Sequence, residues 1–469
     1  MAMPQAAMPQ AARAPSRCSA LGDRETALPG AMTTATEQAQ TGQAGIRQAQ
    51  TRQAQTRQAD VIVLGAGIIG VSAALHLQER GRSVLLVDRG EPGGQTSHGN
   101  AGLIERSSVV PYAFPRDLAT LAAFASNRSI AVRYRPATLL RMAPWLARYW
   151  WNSAPERLDR LGRAILPLIE RSIDEHRHWA VAAGTEALMR GEGWVELYRN
   201  PRALEQAVSA AAGLHGYGLT YDVLDLETLR ALEPALLLGA AAGALHWRDP
   251  VTVSDPGAVT RAYAGLFAAR GGTLVKADAL ELRQEGAQWR LPTEAGDWRA
   301  AEVVVALGPW SGDLYERFGY RFPLAFKRGY HMHYAAVNEA VPQHPLCDAQ
   351  AGFVLSAMQR GIRLTTGIEL AGRDEPSDNW QLDQAETIAR RIMPLGQRLD
   401  AQPWRGARPC LPDMLPVIGR AARHSGLWFA FGHAHHGFTL GPVTGRLLAE
   451  AMTGAPAFCD LKPFAADRF

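Results

Sequence analysis

The sequence predicts an α/β protein in which a parallel sheet is interleaved along the chain with a mixed, mainly antiparallel sheet and its helices. Three observations lead there. "DVIVLG" (60–65) is a continuous aliphatic run suited to a strand buried on both faces. Gly65, Gly67 and Gly70 follow at G-x-G-x-x-G spacing and open an apolar helix, "IIGVSAALHLQERG". At 469 residues the chain exceeds one ordinary compact core, so two interleaved domains are expected.

The first unit can be justified residue by residue. Its helix stops near Gly81, and a second strand, "SVLLVD", ends on Asp88. Gly65 permits the tight turn, Gly67 lets backbone approach a pyrophosphate, and Gly70 lets helix pack on strand. The helix N-terminus at Ile68 and Ile69 attracts phosphate charge, and Asp88, followed by Arg89, can accept from a ribose diol. Strand, turn, helix, strand and terminal acid together predict a Rossmann-like dinucleotide site. An acid at this position suits NAD and FAD equally.

Composition narrows the classes. Hydrophobic residues make up 47% and charged residues 20%, an ordinary globular balance. The net charge is only +4, and the arginines are dispersed, so no nucleic-acid partner is expected. Cys18, Cys347, Cys410 and Cys459 form no CxxC pair, which fits a reducing compartment and a cytoplasmic location. Residues 1–58, with "QAQTGQAGIRQAQTRQAQTRQAD", bury too little apolar surface to offset ordering entropy and are expected to be a disordered leader; a mistaken upstream start codon is the alternative. No run of ~20 apolar residues could span a membrane. The Trp-rich "LLRMAPWLARYWW" (139–151) is read as a buried aromatic cluster, with peripheral contact at an inner-membrane surface left open.

"RGEPGGQTSHGNAGLI" (89–104) supplies small and hydroxyl residues that let backbone crowd a flat, phosphate-bearing ligand. Thr96, Ser97, Asn100, Ala101, Gly102 and Leu103 are the candidates there. At these residues the chain resembles the D-amino-acid oxidase superfamily of FAD-dependent oxidoreductases. "TSHGNAGLI" with "SSVVPYAFP" resembles its bacterial D-amino-acid dehydrogenase small-subunit branch most. Asp88 stands where the superfamily usually carries Glu. The resemblance implies FAD, bound non-covalently because the branch's flavin-tethering cysteine motif is missing. It puts Val275 and Lys276 near the adenine, and the Ala306–Ser311 turn, with Ala306 and Gly308, over the cofactor. It also sets the loop of Gly432, His433, His436, Gly437, Phe438, Thr439 and Leu440 beside the flavin ring. A helix from about Gly441 would then stabilise reduced-flavin charge by ~0.3–1 kcal/mol. The histidines His433, His435 and His436 are not read as a metal site, because no acid or thiolate lies near them in sequence.

On the substrate side, "WRGARPCLPDMLPVIG" (404–419) resembles the superfamily segment whose arginine binds the substrate carboxylate, here Arg408. A guanidinium suits the task, since its planar fork grips a carboxylate through two parallel bonds. "FKRGYHMHY" (326–334) resembles a strand entering the active site; Tyr330 is favoured as the substrate contact and His331 is the runner-up. In "RGIRLTTGIELAG", Arg363 stands where sarcosine-type oxidases carry an oxygen-activating lysine, which tilts towards a dehydrogenase using a quinone or carrier protein. The implied reaction is hydride transfer from the α-carbon of a D-amino acid, cyclic ones such as D-proline or hydroxy-D-proline included, to flavin N5. A glycine- or sarcosine-type oxidase giving peroxide is one alternative, and a flavin-bearing subunit without its own catalysis is another. No acid–base pair is legible, and a neutral amine would need none. The FAD-binding domain is expected at 59–105, 161–185, 251–313 and 406–469, and the substrate domain at 106–160, 186–250 and 314–405.

Overall fold

The opening aliphatic run is a central strand of a parallel sheet. In the computed structural model, which describes residues 56–469, it spans Arg57–Leu64 and pairs in parallel with Val84–Asp88 and with Trp298–Val305. Val61 to Leu64 are fully buried, as a strand covered on both faces requires. Thr273–Lys276 extends the parallel set beyond Val84–Asp88, and Leu427–Phe431 extends it beyond Trp298–Val305. An antiparallel meander of Arg283–Glu285 and Gln288–Leu291 joins Trp298–Val305, and Val417–Arg420 closes on Leu427–Phe431. The expected leader lies outside the described residues up to 55, together with Cys18. Its last residues do not belong to it, because Arg57 and Gln58 already pair with Trp298 and Arg299.

Helix Ile68–Glu79 lies against helix Gly441–Thr453 in the largest core cluster, which the long helix Pro155–Ala183 and helix Pro256–Ala269 also enter. The first two approach so closely that a Cβ on Gly445 would sit 2.5 Å from the Ser72 carbonyl carbon. Only glycine lets the backbones meet there.

The second sheet has 11 strands built around Ala325–Ala336. That strand pairs antiparallel with Gly361–Thr365, Ile368–Leu370, Leu395–Arg398 and Trp404–Cys410. From Gly361–Thr365 the sheet continues through Phe353–Met358, Leu346–Asp348, Trp194–Tyr198 and Gly243–Trp247 to Tyr221–Leu224. Trp404–Cys410 is thus a strand of this sheet, whereas the sequence reading began the last FAD-binding segment at 406; seven consecutive pairs from Ala325↔Cys410 to His331↔Trp404 hold it there.

Both sheets belong to one compact unit, Ala54–Phe469. The architecture is α/β, as the sequence predicts. The Trp-rich segment divides: Trp145 and Tyr149 are buried, while Trp150 and Trp151 on the same helix, Ala143–Asn152, are exposed under the guanidinium groups of Arg116 and Arg157. Among the described residues, no helix is long and apolar enough to cross a membrane.

Candidate active site

The parallel strands end, at Gly65, Asp88, Ala306 and Gly432, on a cavity of about 720 Å³ that extends to the second sheet. Ligands of open parallel sheets bind at these carboxyl ends.

At this end the glycine turn shapes a cradle. Gly65 has φ +105°, and a Cβ on Gly70 would overlap the Gly65 carbonyl oxygen, so these two residues serve packing. Gly67 differs. A Cβ there meets no protein atom nearer than Ser97 Oγ at 3.5 Å, and the residue lines the cavity. A side chain would therefore fill ligand space. Ser97 Oγ accepts from the Ile68 N–H at 3.0 Å and so caps the helix from outside. Asp88 accepts from the N–H of Ala66 through Oδ2 at 2.7 Å and from that of Gly90 through Oδ1 at 2.8 Å. Each oxygen retains a lone pair for a diol. Ile68, Ile69, Arg89, Thr96, Asn100, Ala101 and Leu103 also line the cavity, and Arg89 lies over the Trp310 ring.

Several expected cofactor contacts stand elsewhere. Val275 and Lys276 do not line the cavity; the next residues, Ala277 to Leu280, do, and the exposed Lys276 ammonium pairs with Glu91. Gly102 is a packing residue, since a Cβ there would strike Val253 O at 2.5 Å. His436 and Leu440 are buried behind the loop, whereas Gly432, His433, Gly437, Phe438 and Thr439 face the cavity with Ala306 and Gly308. His176 Nε2 holds the Phe438 carbonyl at 2.8 Å, and His433 Nε2 meets Thr444 Oγ1 at 3.1 Å, which fixes this loop to two helices.

At the substrate end Arg408 projects from Trp404–Cys410 over Gly329, where a Cβ would stand 2.7 Å from its Nη1. Among the described residues its only acceptors are the carbonyls of Gly367 at 3.3 Å and Arg328 at 3.5 Å. No carboxylate of the described residues pairs with it, and burial pulls its pKa down. The fork is ready for an incoming anion.

Tyr330 and His331 are corrected by the sheet's alternation. Lys327 pairs with Arg408 and Gly329 with Gly406, so odd-numbered residues of that strand share Arg408's face. Tyr330 borders the cavity, but its hydroxyl points away, donating to Glu369 Oε2 at 2.6 Å beside the buried Arg328–Glu369 pair. His331 is on the Arg408 face yet off the cavity, stacked on Trp404 with 4.7 Å between ring centroids. Arg363 is likewise not in the cavity: it donates to the carbonyls of His98 at 2.9 Å and Asn100 at 2.6 Å. A lysine is present after all, since Lys327 lines the cavity and donates to Tyr149 Oη at 3.0 Å.

Sequence reasoning missed two acids. Glu105 and Glu196 line the cavity, and Tyr112 and Cys347 lie beside them. Burial raises Glu105 to about 7, with Glu196 adding to the rise, and burial raises Glu196 as well. Glu105 directly follows the 89–104 segment and Glu196 comes from a part of the chain far from any motif, so only the folded chain brings the two together. The absence of an acid near the histidines also fails as a reason to set a metal aside, because a Glu105 oxygen and one nitrogen each of His435 and His436 lie within 4.8 Å of one another. Electrostatics disfavours a cation there: burial holds His435 well below its ordinary pKa, and the neighbouring Lys327 and Arg408 add to that lowering.

A dinucleotide cradle joined to an unpaired guanidinium defines a class, and the family comparison agrees. Residues 60–451 match the family of FAD-dependent oxidoreductases called DAO, and the chain belongs to that family. It is an FAD-dependent oxidoreductase, and the cradle at Gly67, Ser97 and Asp88 fits that cofactor. Among its relatives is a D-amino-acid oxidase of Bradyrhizobium diazoefficiens, 29% identical over 87% of this chain and 98% of the relative. A D-amino acid dehydrogenase of Xylella fastidiosa is 28% identical over 87% and 95%. The glycine oxidase structure of Geobacillus kaustophilus superposes with a TM-score of 0.67 at 22% identity, covering 88% of this chain and all of that one. At that identity the likeness speaks for the fold.

Proposed function

We propose that the chain oxidatively deaminates a D-amino acid and passes the electrons to an acceptor other than oxygen. The observation that carries this is Arg408, a cavity-facing guanidinium without a carboxylate partner among the described residues, in the same cavity as the cofactor cradle. The names of the bacterial relatives support the substrate class.

Bound FAD, held without a covalent link, supplies the hydride acceptor. The protein's residues do the rest. Gly67 and the capped N-terminus at Ile68 would receive the pyrophosphate, and Asp88 would take the ribose. Arg408 grips the substrate carboxylate and so sets the α-carbon's orientation, which in well-aligned reactions contributes up to ~7–11 kcal/mol. Phe114, Trp145 and Tyr149 form an apolar wall that keeps water from the α-carbon. The imino acid released is hydrolysed to a 2-oxo acid and ammonia, or leaves as a ring imine if the substrate is cyclic. The FAD-binding and substrate domains assigned from the sequence, with 406–410 moved to the latter, face each other across this cavity. The exposed Trp150, Trp151 and Leu140, flanked by Arg116 and Arg157, favour peripheral contact with a membrane and hence a quinone acceptor.

The second reading is an oxidase, favoured by Lys327 in the cavity and by the name of the Bradyrhizobium relative. Anaerobic mixing of the flavoprotein with D-amino acids, D-proline, hydroxyproline isomers and N-methyl amino acids should bleach the flavin with one group. A flavin that stays oxidised throughout refutes catalysis on amino acids and leaves the non-catalytic subunit. Peroxide formed stoichiometrically in air identifies the oxidase.

A further inference from the structure

Glu105 has no task in the reaction so far. It follows strand Leu103–Ile104, and its N–H donates to Thr439 Oγ1 at 3.0 Å, which ties it to the loop that faces the cofactor side. Its side chain lines the cavity and accepts from Tyr112 Oη at 3.4 Å. The groups facing it are Ser108, Tyr112, Glu196, Cys347, Arg408, His435 and His436. The charge of Arg408, the proposed carboxylate anchor, acts on it, and among the described residues the two form no ion pair. A zwitterion gripped by Arg408 has its ammonium one carbon away from the carboxylate. Of the two cavity acids, Glu105 is the one whose charge acts on Arg408, so it is the carboxylate that this ammonium would meet.

Hydride cannot leave the α-carbon while nitrogen is an ammonium, because its lone pair must close the C=N bond. A proton has to go first. We propose that Glu105 accepts the substrate's ammonium proton before hydride transfer, an inference that rests on the amino-acid reading. The proton passes from nitrogen to a Glu105 carboxylate oxygen. With FAD bound, the α-hydrogen would then leave with its electron pair to that cofactor, which would pass the two electrons to the acceptor class named above. The nitrogen lone pair forms C=N, an iminium remains, and Glu105 returns its proton to solvent once product leaves.

The neighbours are poorer candidates. Burial holds His436 at about 4 and His435 well below its ordinary range, so both imidazoles are weak bases there. The same burial, aided by Glu196, lifts Glu105 to about 7, which matches a base working near neutrality.

The test uses FAD-loaded wild type, Glu105→Gln and Glu105→Asp. The first measurement is affinity for an α-methylated amino acid, which has no α-hydrogen to lose, and for the corresponding nitrogen-free 2-oxo acid, followed by calorimetry. With a group titrating near 7, wild-type affinity for the amine should rise about tenfold from pH 6 to 8, while affinity for the oxo acid falls. Glu105→Gln should flatten both trends. The second measurement is anaerobic flavin bleaching by a true substrate: Glu105→Gln should lose the acidic limb of the pH profile, and Glu105→Asp should recover it in part. A Glu105→Gln protein with full flavin content and the wild-type pH dependence overturns the assignment while leaving amino-acid oxidation in place. A wild type that no amino acid bleaches sinks the underlying reading and this inference with it.

Discussion

Replacing Arg408 by Ala separates the proposed substrate anchor from the proposed cofactor cradle. Its guanidinium gives up only two long contacts, 3.3 and 3.5 Å, to receive a carboxylate. Two charge-assisted bonds contribute about 1.5–3 kcal/mol each, and truncating one partner of such a pair costs ~2–5 kcal/mol. That corresponds to a loss of roughly 30- to 5,000-fold in kcat/KM, carried mainly by KM. Arg408→Lys keeps the charge without the fork and should fall between Ala and wild type. Flavin content should not change, because the cradle's polar contacts run through Asp88, Ser97 and Ile68. Thermal stability should hold or rise, since a cation unpaired among the described residues and desolvated by burial is removed. Steady-state kinetics with the substrate found by the bleaching screen, together with the flavin-to-protein absorbance ratio, decide the matter. A variant that loses FAD yet keeps the wild-type KM refutes the anchor role.

Gly67→Leu should give folded, colourless protein, because its side chain enters the cradle and meets only Ser97 nearby; a normally yellow product contradicts the pyrophosphate assignment. Gly445→Val should lower the melting temperature by forcing two helices apart, with overpacking of this kind costing ~1–3 kcal/mol; unaltered melting would show that the helices can separate freely. Tyr330→Phe removes a hydroxyl that donates to buried Glu369 and should cost ~1–3 kcal/mol of stability while kcat/KM stays within about twofold; a collapse in kcat/KM at constant stability would put Tyr330 back in the substrate site.

The nucleotide unit was legible because its constraints are local. One turn, one helix N-terminus and one strand end determine where Gly67, Ser97 and Asp88 fall, and spacing along the chain records all three. The substrate end was legible only where a motif marked it, at Arg408. Choosing between Tyr330 and its neighbours depended on which face of a strand meets Arg408. That is a register question, decided by the partner strand Trp404–Cys410 rather than by residues 326–334 themselves. The adenine-side assignment of Val275 and Lys276 missed by one or two positions for a similar reason, since the strand ends at Lys276 and the loop after it turns inward. Glu105 adjoins the 89–104 segment but nothing in its local sequence marks its role, and Glu196 carries no sequence signal. Ordinary-looking acids acquire their character from burial and mutual proximity, and both are properties of the folded chain.

Arg363 reaches from the second sheet to take the carbonyl oxygens of His98 and Asn100, in the shelf of chain that lines the cavity. The shelf is therefore bolted to the opposite wall of the cleft. Arg363→Ala would leave that shelf without its fastening, and the variant should purify with less flavin than wild type.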